Sequence, residues 1–157
     1  MNARKVSESQ ITMTELVLPH HTNQLGNLLG GQLMHWIDIC AALSAAKHNR
    51  RICVTASVDN IDFLYPVKLG DAVTLVSSVN RVFSTSMEVG VKVYAQNFKE
   101  GSVKHTNSAY LTFVSVDSNG KPVKAIGALP ETNDQKRRFN EAFIRRENRL
   151  KSRSVEK

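Results

Sequence analysis

Cysteine, aromatic residues and long apolar runs are all scarce in this sequence. The 157 residues include two cysteines, Cys40 and Cys53, whose spacing fits neither a metal site nor a redox motif. We therefore expect buried thiols in a reducing compartment and no disulfide framework. No apolar stretch approaches the ~18 residues of a membrane-spanning helix, and residues 1–9 are too polar for a secretory signal. These absences predict a cytoplasmic protein without a membrane span.

The low aromatic content and the placement of charge bear on the partner. Aromatic residues make up 6% of the chain, and no RNP-like or helix-turn-helix pattern occurs, which argues against nucleic acid. The net charge is +7, and residues 133–157, with nine basic and four acidic side chains, contribute +5 of it. Such a tail suits a polyphosphate or acidic lipid, or it is a solvated helix face. We predict a domain over residues 1–132 and a basic C-terminal helix or tail over 133–157.

Apolar periodicity predicts one buried helix among five strands. Residues 32–47 have helical periodicity and are apolar around most of the circumference, which is typical of a buried helix. Alternating patterns predict strands at Gln10–Leu18, Ile52–Tyr65, Asp71–Phe83, Ser86–Phe98 and Ser102–Asp117. The short turns between the last four favour an antiparallel sheet. Because one helix covers one face of a sheet, the sheet must wrap it or a second subunit must cover the rest, so we expect an oligomer.

Asp38 is the unusual residue of this helix. It lies two turns inside an apolar segment, too far from the start to cap it, and no basic residue precedes Lys47 within the helix. A buried carboxylate is costly unless it is paired or used. Asp38 is therefore either a structural residue satisfied by another element or a general base or nucleophile.

Glycines and an asparagine precede the helix. Gly30 and Gly31 let a ligand approach the backbone, where the free N–H groups of a helix start attract negative charge. A developing oxyanion can be stabilised there. Gly31 and Asp38 share one helical face, about two turns apart. Asn23, in the loop before the helix, carries a donor and an acceptor that can orient water, or it simply forms a turn.

Two blocks of residues resemble the acyl-CoA hydrolases of the hotdog superfamily, both the bacterial and the two-domain animal enzymes. They are Asn23-Gln24-Leu25-Gly26-Asn27 with Gly30-Gly31 and Asp38, and Asp62-Phe63-Leu64-Tyr65-Pro66-Val67-Lys68-Leu69-Gly70-Asp71. The resemblance extends from about Ile11 to Val116. It implies an α+β hotdog fold, in which a five-stranded antiparallel sheet wraps a long central helix, and here a charged C-terminal helix follows. It also implies dimers, often built into trimers of dimers that make a homohexamer.

The resemblance assigns roles to individual residues. By position, Asn23 and Asp38 match the family's catalytic residues, which meet across the dimer interface in a composite site. The implied reaction converts an acyl-CoA and water to a carboxylic acid and coenzyme A. Gly30 and Gly31 would polarise the thioester carbonyl, and Asp38 would act as general base or as nucleophile through a mixed anhydride. No cofactor is required beyond coenzyme A as part of the substrate, and no metal site is expected because the histidines lack ligand spacing.

Weaker signals suggest contacts to coenzyme A. Its phosphates would suit the basic tail, and the turn between two strands offers further polar groups. The candidates are Arg81, Ser84, Thr85, Ser86, Lys136, Arg137 and Arg138.

Two other functions compete with hydrolysis. A hotdog dehydratase or hydratase of 3-hydroxyacyl thioesters would pair a histidine with an acid, and His35 lies three residues before Asp38. A non-catalytic module would bind coenzyme A or nucleic acid through the basic tail. The asparagine and the glycine pair favour hydrolysis over hydration, and the low aromatic content argues against nucleic acid.

Overall fold

The computed structural model describes residues 3–156, which form seven strands and two helices. The strands are β1 (Ala3–Lys5), β2 (Ile11–Leu16), β3 (Ile52–Val58), β4 (Ala72–Val82), β5 (Ser86–Asn97), β6 (Ser102–Val116) and β7 (Gly127–Leu129). The helices are α1 (Gly30–Asn49) and α2 (Asn133–Glu156). Short 3₁₀ turns follow β1 and β2.

Five strands form one antiparallel sheet in the order β2-β4-β5-β6-β3. The long strands β4, β5 and β6 are joined by short turns, and Gly101 takes φ +69° in the turn between β5 and β6, where only glycine is unstrained. The predicted hotdog fold is confirmed. The parallel pair of β1 and β7 was not predicted, because three-residue strands carry too little alternation to be recognised.

The core lies between the inner face of the sheet and α1. Alternate residues of β4 and β5 are fully buried against it, among them Leu75 and Val89, and α1 contributes Ile37 and Cys40. This burial follows from the period of two in the strands and of 3.6 in the helix. Each such side chain removed from water stabilises the fold by roughly 1.5–3 kcal/mol.

The predicted strand Ile52–Tyr65 was wrong in its second half. β3 ends at Val58, and residues 59–71 form a loop that crosses to the start of α1. The Asp59 N–H donates to the Tyr110 carbonyl at 2.9 Å, and the Asp59 carboxylate then pairs with Arg149 at 3.2 Å. The apolar residues of this loop resemble a strand in sequence, but the Phe63 ring lies beside Gly30 at the start of α1.

One face of α1 remains open in the protomer. Met34 and Leu43 are 42% and 47% exposed, and Ile52 on the neighbouring strand β3 is 58% exposed. Among residues 3–156, β3 pairs with β6 alone, so its other edge has unpaired backbone groups. Exposed apolar side chains beside a free strand edge are typical of a site of protein–protein contact.

α2 packs on the outer face of the sheet, opposite α1. Ala142 is fully buried, and Arg145 forms a two-pronged ion pair with the buried Glu88 on β5 at 2.7 and 3.0 Å. The helix therefore begins where the predicted tail begins and is docked by specific contacts. Among residues 3–156, neither helix is long and apolar enough to cross a membrane.

Candidate active site

Asn23 organises the loop that leads into α1. Its side-chain oxygen accepts hydrogen bonds from the N–H groups of Leu25 at 3.0 Å and Asn27 at 3.1 Å. The Asn23 backbone closes the same turn, because its N–H donates to the Asn27 carbonyl at 2.9 Å. These bonds fix the amide plane and leave the exposed Nδ2 group to donate elsewhere. Asn23 is thus a turn former whose second polar group points away from the turn.

The start of α1 has the features of an anion site. Leu29 occupies the cap position and forms no side-chain cap, so the first N–H groups of the helix are not capped by it. A Cβ at Gly31 would have no heavy atom within 4 Å, so the space beside this residue is open to a ligand. At Gly30 the nearest atoms belong to the ring of Phe63, at 3.5 Å from the Cβ position. Uncapped N–H groups and the helix dipole together favour a developing negative charge here.

A cavity of about 230 Å³ connects these two features. Asn23 and Gly30 both line it, at the polar end that Asn27 shares. Its remaining lining residues are apolar or aromatic: Leu28, Leu33, Phe63, Tyr65, Pro66 and Val67. The arrangement offers an amide and a helix start beside an apolar wall, as ligand pockets commonly do.

Asp38 lies elsewhere on α1 and has a partner that the sequence did not predict. The Thr55 hydroxyl, on β3, donates to Asp38 Oδ1 at 2.7 Å. Asp38 is half-buried, and its hydrogen-bond partner comes from another element of the fold. The two residues are 17 positions apart, and only the packing of β3 across α1 brings them together. No sequence signal marks Thr55, because a threonine in a strand is ordinary.

Asp38 is not among the residues that line the cavity of Asn23 and Gly30. The protomer therefore carries two half-sites, one with Asn23 and the helix start, and one with Asp38 and Thr55. The second half-site lies on the open face of α1, beside Met34 and the free edge strand.

Four of the seven candidate contacts to coenzyme A lie on α2 or against it, namely Arg81, Lys136, Arg137 and Arg138, and the other three lie in or at the end of the turn between β4 and β5. The Arg81 guanidinium donates to the Phe139 carbonyl at 3.2 Å and stacks on that ring at 4.1 Å. Arg137 pairs with Glu141 at 3.3 Å. In the turn after β4, the carbonyls of Ser84 and Thr85 accept backbone N–H groups, and Ser86 begins β5. Lys136 is exposed and Arg138 half-buried. Their role in binding coenzyme A stays a prediction.

The histidines divide into loop, surface and core residues. His35 is exposed on α1, and His21 packs edge-on against Trp36 with ring centroids 5.0 Å apart. His48 is fully buried, and burial lowers its pKa. Within residues 3–156, no group of three or more His, Cys, Asp or Glu side chains could hold a metal ion.

Comparison with known proteins identifies relatives over almost the whole chain. The family model described as the thioesterase superfamily matches residues 25–102. A Bacillus subtilis protein named uncharacterized acyl-CoA thioester hydrolase YkhA is 43% identical over 150 residues, which cover 96% of this chain and 87% of that protein.

Solved structures of acyl-CoA hydrolases are also similar to this chain. A crystal structure of an apo-hexameric acyl-CoA thioesterase superposes with a TM-score of 0.94 at 39% identity, covering 99% of both chains. The acyl-CoA hydrolase of Staphylococcus aureus, in complex with butyryl coenzyme A, coenzyme A and coenzyme A disulfide, has a TM-score of 0.89 at 36% identity, covering 98% of this chain and 93% of that one. Variants of the S. aureus enzyme with an aspartate, a threonine or an asparagine replaced by alanine have the same fold. The chain belongs to the thioesterase superfamily, as a member of its hotdog-fold acyl-CoA hydrolases.

Proposed function

We propose that this protein hydrolyses acyl-CoA thioesters in a composite site that joins Asn23 and the α1 start of one chain to Asp38 and Thr55 of another. The observation that carries the proposal is the hydrogen bond from Thr55 to Asp38 on the open face of α1. A carboxylate held by one oxygen, beside an uncovered apolar surface, is poised for a reaction at the other oxygen.

The spacing of the three side chains supports this assignment. Asn23, Asp38 and Thr55 follow one another at the same intervals as the asparagine, aspartate and threonine replaced in the S. aureus variants. The variant without the asparagine was obtained in complex with coenzyme A. Residues with this spacing were thus the targets of substitution in a protein of the same fold.

The first half-site would stabilise the oxyanion. The thioester oxygen would accept hydrogen bonds from the uncapped N–H groups at Gly30 and Gly31, with Asn23 Nδ2 as a further donor. Each good donor of this kind lowers the barrier by roughly 3 kcal/mol. Because Asn23 Oδ1 already accepts two backbone bonds, the amide cannot flip without losing them, which leaves Nδ2 as the group that can donate to the substrate.

The second half-site would supply the attack on the carbonyl carbon. In one route Asp38 removes a proton from water while the water oxygen bonds to that carbon. The tetrahedral intermediate then expels the coenzyme A thiolate, which takes up a proton. In the other route an Asp38 oxygen itself bonds to the carbon, the thiolate leaves, and water cleaves the resulting anhydride. In both routes Thr55 holds Oδ1 and leaves Oδ2 to react.

A partner chain would unite the two half-sites, since Asp38 does not line the cavity of Asn23 and Gly30. The open face of α1 and the edge of β3 provide the surface through which a second copy would bring its Asn23 to Asp38. We propose a dimer of this kind, assembled into a trimer of dimers, since the apo thioesterase with the same fold is hexameric. Location in the cytoplasm stays a prediction.

The test measures free-thiol release from acyl-CoA by the wild-type protein and by Asp38→Asn. We expect the amide to lower kcat by at least a hundredfold, because it neither removes a proton nor attacks the carbonyl. Glu15→Gln, a carboxyl on β2, serves as the matched control and should retain activity. Equal rates for wild type and Asp38→Asn would contradict the proposed role of Asp38.

A further inference from the structure

Phe63 is the side chain that meets the first residue of α1. The three heavy atoms nearest to a Cβ at Gly30 are all carbons of the Phe63 ring, at 3.5, 3.7 and 3.8 Å. These are ordinary van der Waals distances, so the missing side chain of Gly30 leaves a space that the ring borders without a clash. The ring therefore forms one wall of the cavity at the point where the helix begins.

The loop around Phe63 is fixed at both ends. Before Phe63, the Asn107 side chain donates a hydrogen bond to the Asp62 carbonyl. After it, the Val67 carbonyl accepts the Leu28 N–H at 2.7 Å. These bonds tie the loop to β6 on one side and to the segment before α1 on the other. The position of the ring is thus set by these two hydrogen bonds to carbonyls of the loop, one on either side of Phe63.

The wall to which Phe63 belongs is apolar. Leu33 and Val67, which line the cavity and belong to the core, are 3% and 4% exposed. A pantetheine arm carries amides that would lose hydrogen bonds against such a surface, whereas a hydrocarbon chain gains by leaving water. The acyl group is therefore the part of the substrate that suits this end of the cavity.

We infer that Phe63 determines acyl-chain selectivity, as the side wall of an acyl pocket that begins at Gly30. This inference rests on the proposed hydrolysis of acyl-CoA and names the part of the substrate that the cavity receives. Since Leu33 and Val67 in the same lining belong to the core, the ring is the wall that sets how long or how branched a chain can be accommodated. Removing the ring should widen the pocket, and adding a methyl group at Gly30 should narrow it.

The experiment compares kcat/KM for acetyl-, butyryl-, octanoyl- and palmitoyl-CoA among three proteins. For Phe63→Ala we expect the ratio of long-chain to short-chain values to rise on the order of tenfold, since added room for hydrocarbon changes selectivity by such factors. Gly30→Ala should move the ratio in the opposite direction, because its Cβ would lie in van der Waals contact with the ring rather than overlap it. Phe63→Leu should raise the ratio of long-chain to short-chain values as Phe63→Ala does, but by a smaller factor.

Leu64→Ala is the matched control. Leu64 is 72% exposed and does not line the cavity, so its removal should leave the chain-length profile unchanged. Size-exclusion chromatography and thermal unfolding establish that each variant keeps its assembly and fold. Profiles of Phe63→Ala and Phe63→Leu that coincide with wild type would overturn this inference and leave the hydrolase intact. Absence of thiol release from every acyl-CoA with the wild-type protein would instead overturn the proposed function.

Discussion

Thr55 shows how a single hydrogen bond changes the interpretation of a carboxylate. In the sequence Asp38 has no partner among its helical neighbours, and the structure supplies one from β3 at 2.7 Å. A hydrogen bond to a charged group contributes about 1.5–3 kcal/mol. It also fixes which carboxylate oxygen faces the open surface of α1. Orientation of this kind is a prerequisite for a base or nucleophile that must act at one position.

We predict that Thr55→Val lowers kcat by tenfold to a hundredfold, because valine keeps the shape of threonine but cannot donate to Asp38. Thr55→Ser retains a hydroxyl and should stay within a few fold of wild type. Thr74→Val, a change on β4 that removes the exposed contact of Thr74 with Thr14, is the control for a general effect on the sheet. The readout is steady-state thiol release. A rate for Thr55→Val equal to that of Thr55→Ser would show that the hydroxyl has no part in the reaction.

At the scale of elements, the C-terminal end of α1 is held by a buried histidine. His48 Nε2 donates to the Ile126 carbonyl at 2.9 Å, just before β7, while Nδ1 has no partner among the described residues. The Arg4 side chain donates to the His48 carbonyl from β1. One helical turn thus joins both strands of the small parallel pair to the core.

Acid should weaken this connection. Burial is the main cause that lowers the pKa of His48 below its ordinary value of 6.5, and the Ile126 carbonyl opposes it. As the pH falls below 6.5, His48 binds a proton in the unfolded chain but stays neutral in the folded chain. The free energy of unfolding therefore decreases until the pH reaches the pKa of His48 in the folded chain. The slope for one proton is at most about 1.4 kcal/mol per pH unit.

We therefore predict that His48→Gln, which can donate to Ile126 but does not titrate, has a shallower loss of stability in this range than wild type. Urea unfolding at a fixed protein concentration, between pH 7.5 and the folded pKa, measures the slope. His20→Gln, in an exposed loop, is the control and should keep the wild-type slope. Identical slopes for wild type and His48→Gln would contradict the prediction.

α2 is anchored by a charge that the sheet buries. Glu88 is 1% exposed and accepts hydrogen bonds from Arg145 and from Asn80. Asn80 lies against the bare backbone of Gly90, where a Cβ would be only 2.8 Å from its amide nitrogen. Residues 133–157, whose charge suggested a phosphate-binding tail, therefore use part of that charge in an ion pair that docks α2 on the outer face of the sheet. The sequence predicted the helix but not this ion pair, because Glu88 is 57 residues from Arg145 in the chain.

In the whole molecule, one side of the protein leaves α1 and an edge strand of the sheet uncovered. The exposed side of α1 carries Met34 and Leu43, and the edge strand β3 adds Ile52, and exposed apolar side chains of this kind are typical of protein–protein contacts. If a second copy covers this face, Asn23 of one chain and Asp38 of the other complete each site, as proposed above.

Mixed assemblies test this arrangement. Asn23→Ala and Asp38→Asn chains are each expected to be inactive alone, but a mixed dimer has one site in which both residues are intact. After free exchange of subunits, half of the dimers are mixed, so activity should return to about a quarter of wild type. The measurement is thiol release, with subunit exchange followed by native mass spectrometry. Mixing Asn23→Ala with the double variant Asn23→Ala/Asp38→Asn should restore nothing. Verified exchange without recovery of activity would show that the site lies within one chain.

The hotdog fold, the central helix and the acyl-CoA hydrolase family could be predicted from the residues alone, because periodicity and the blocks around Asn23 and Asp38 are local patterns. The glycine pair also indicated where α1 begins, and the structure places Gly30 and Gly31 there. Three contacts became visible in the folded chain alone, namely Thr55 with Asp38, Phe63 with Gly30 and Arg145 with Glu88. Each joins elements far apart in the chain, and its geometry depends on strand register and packing, which no local pattern encodes.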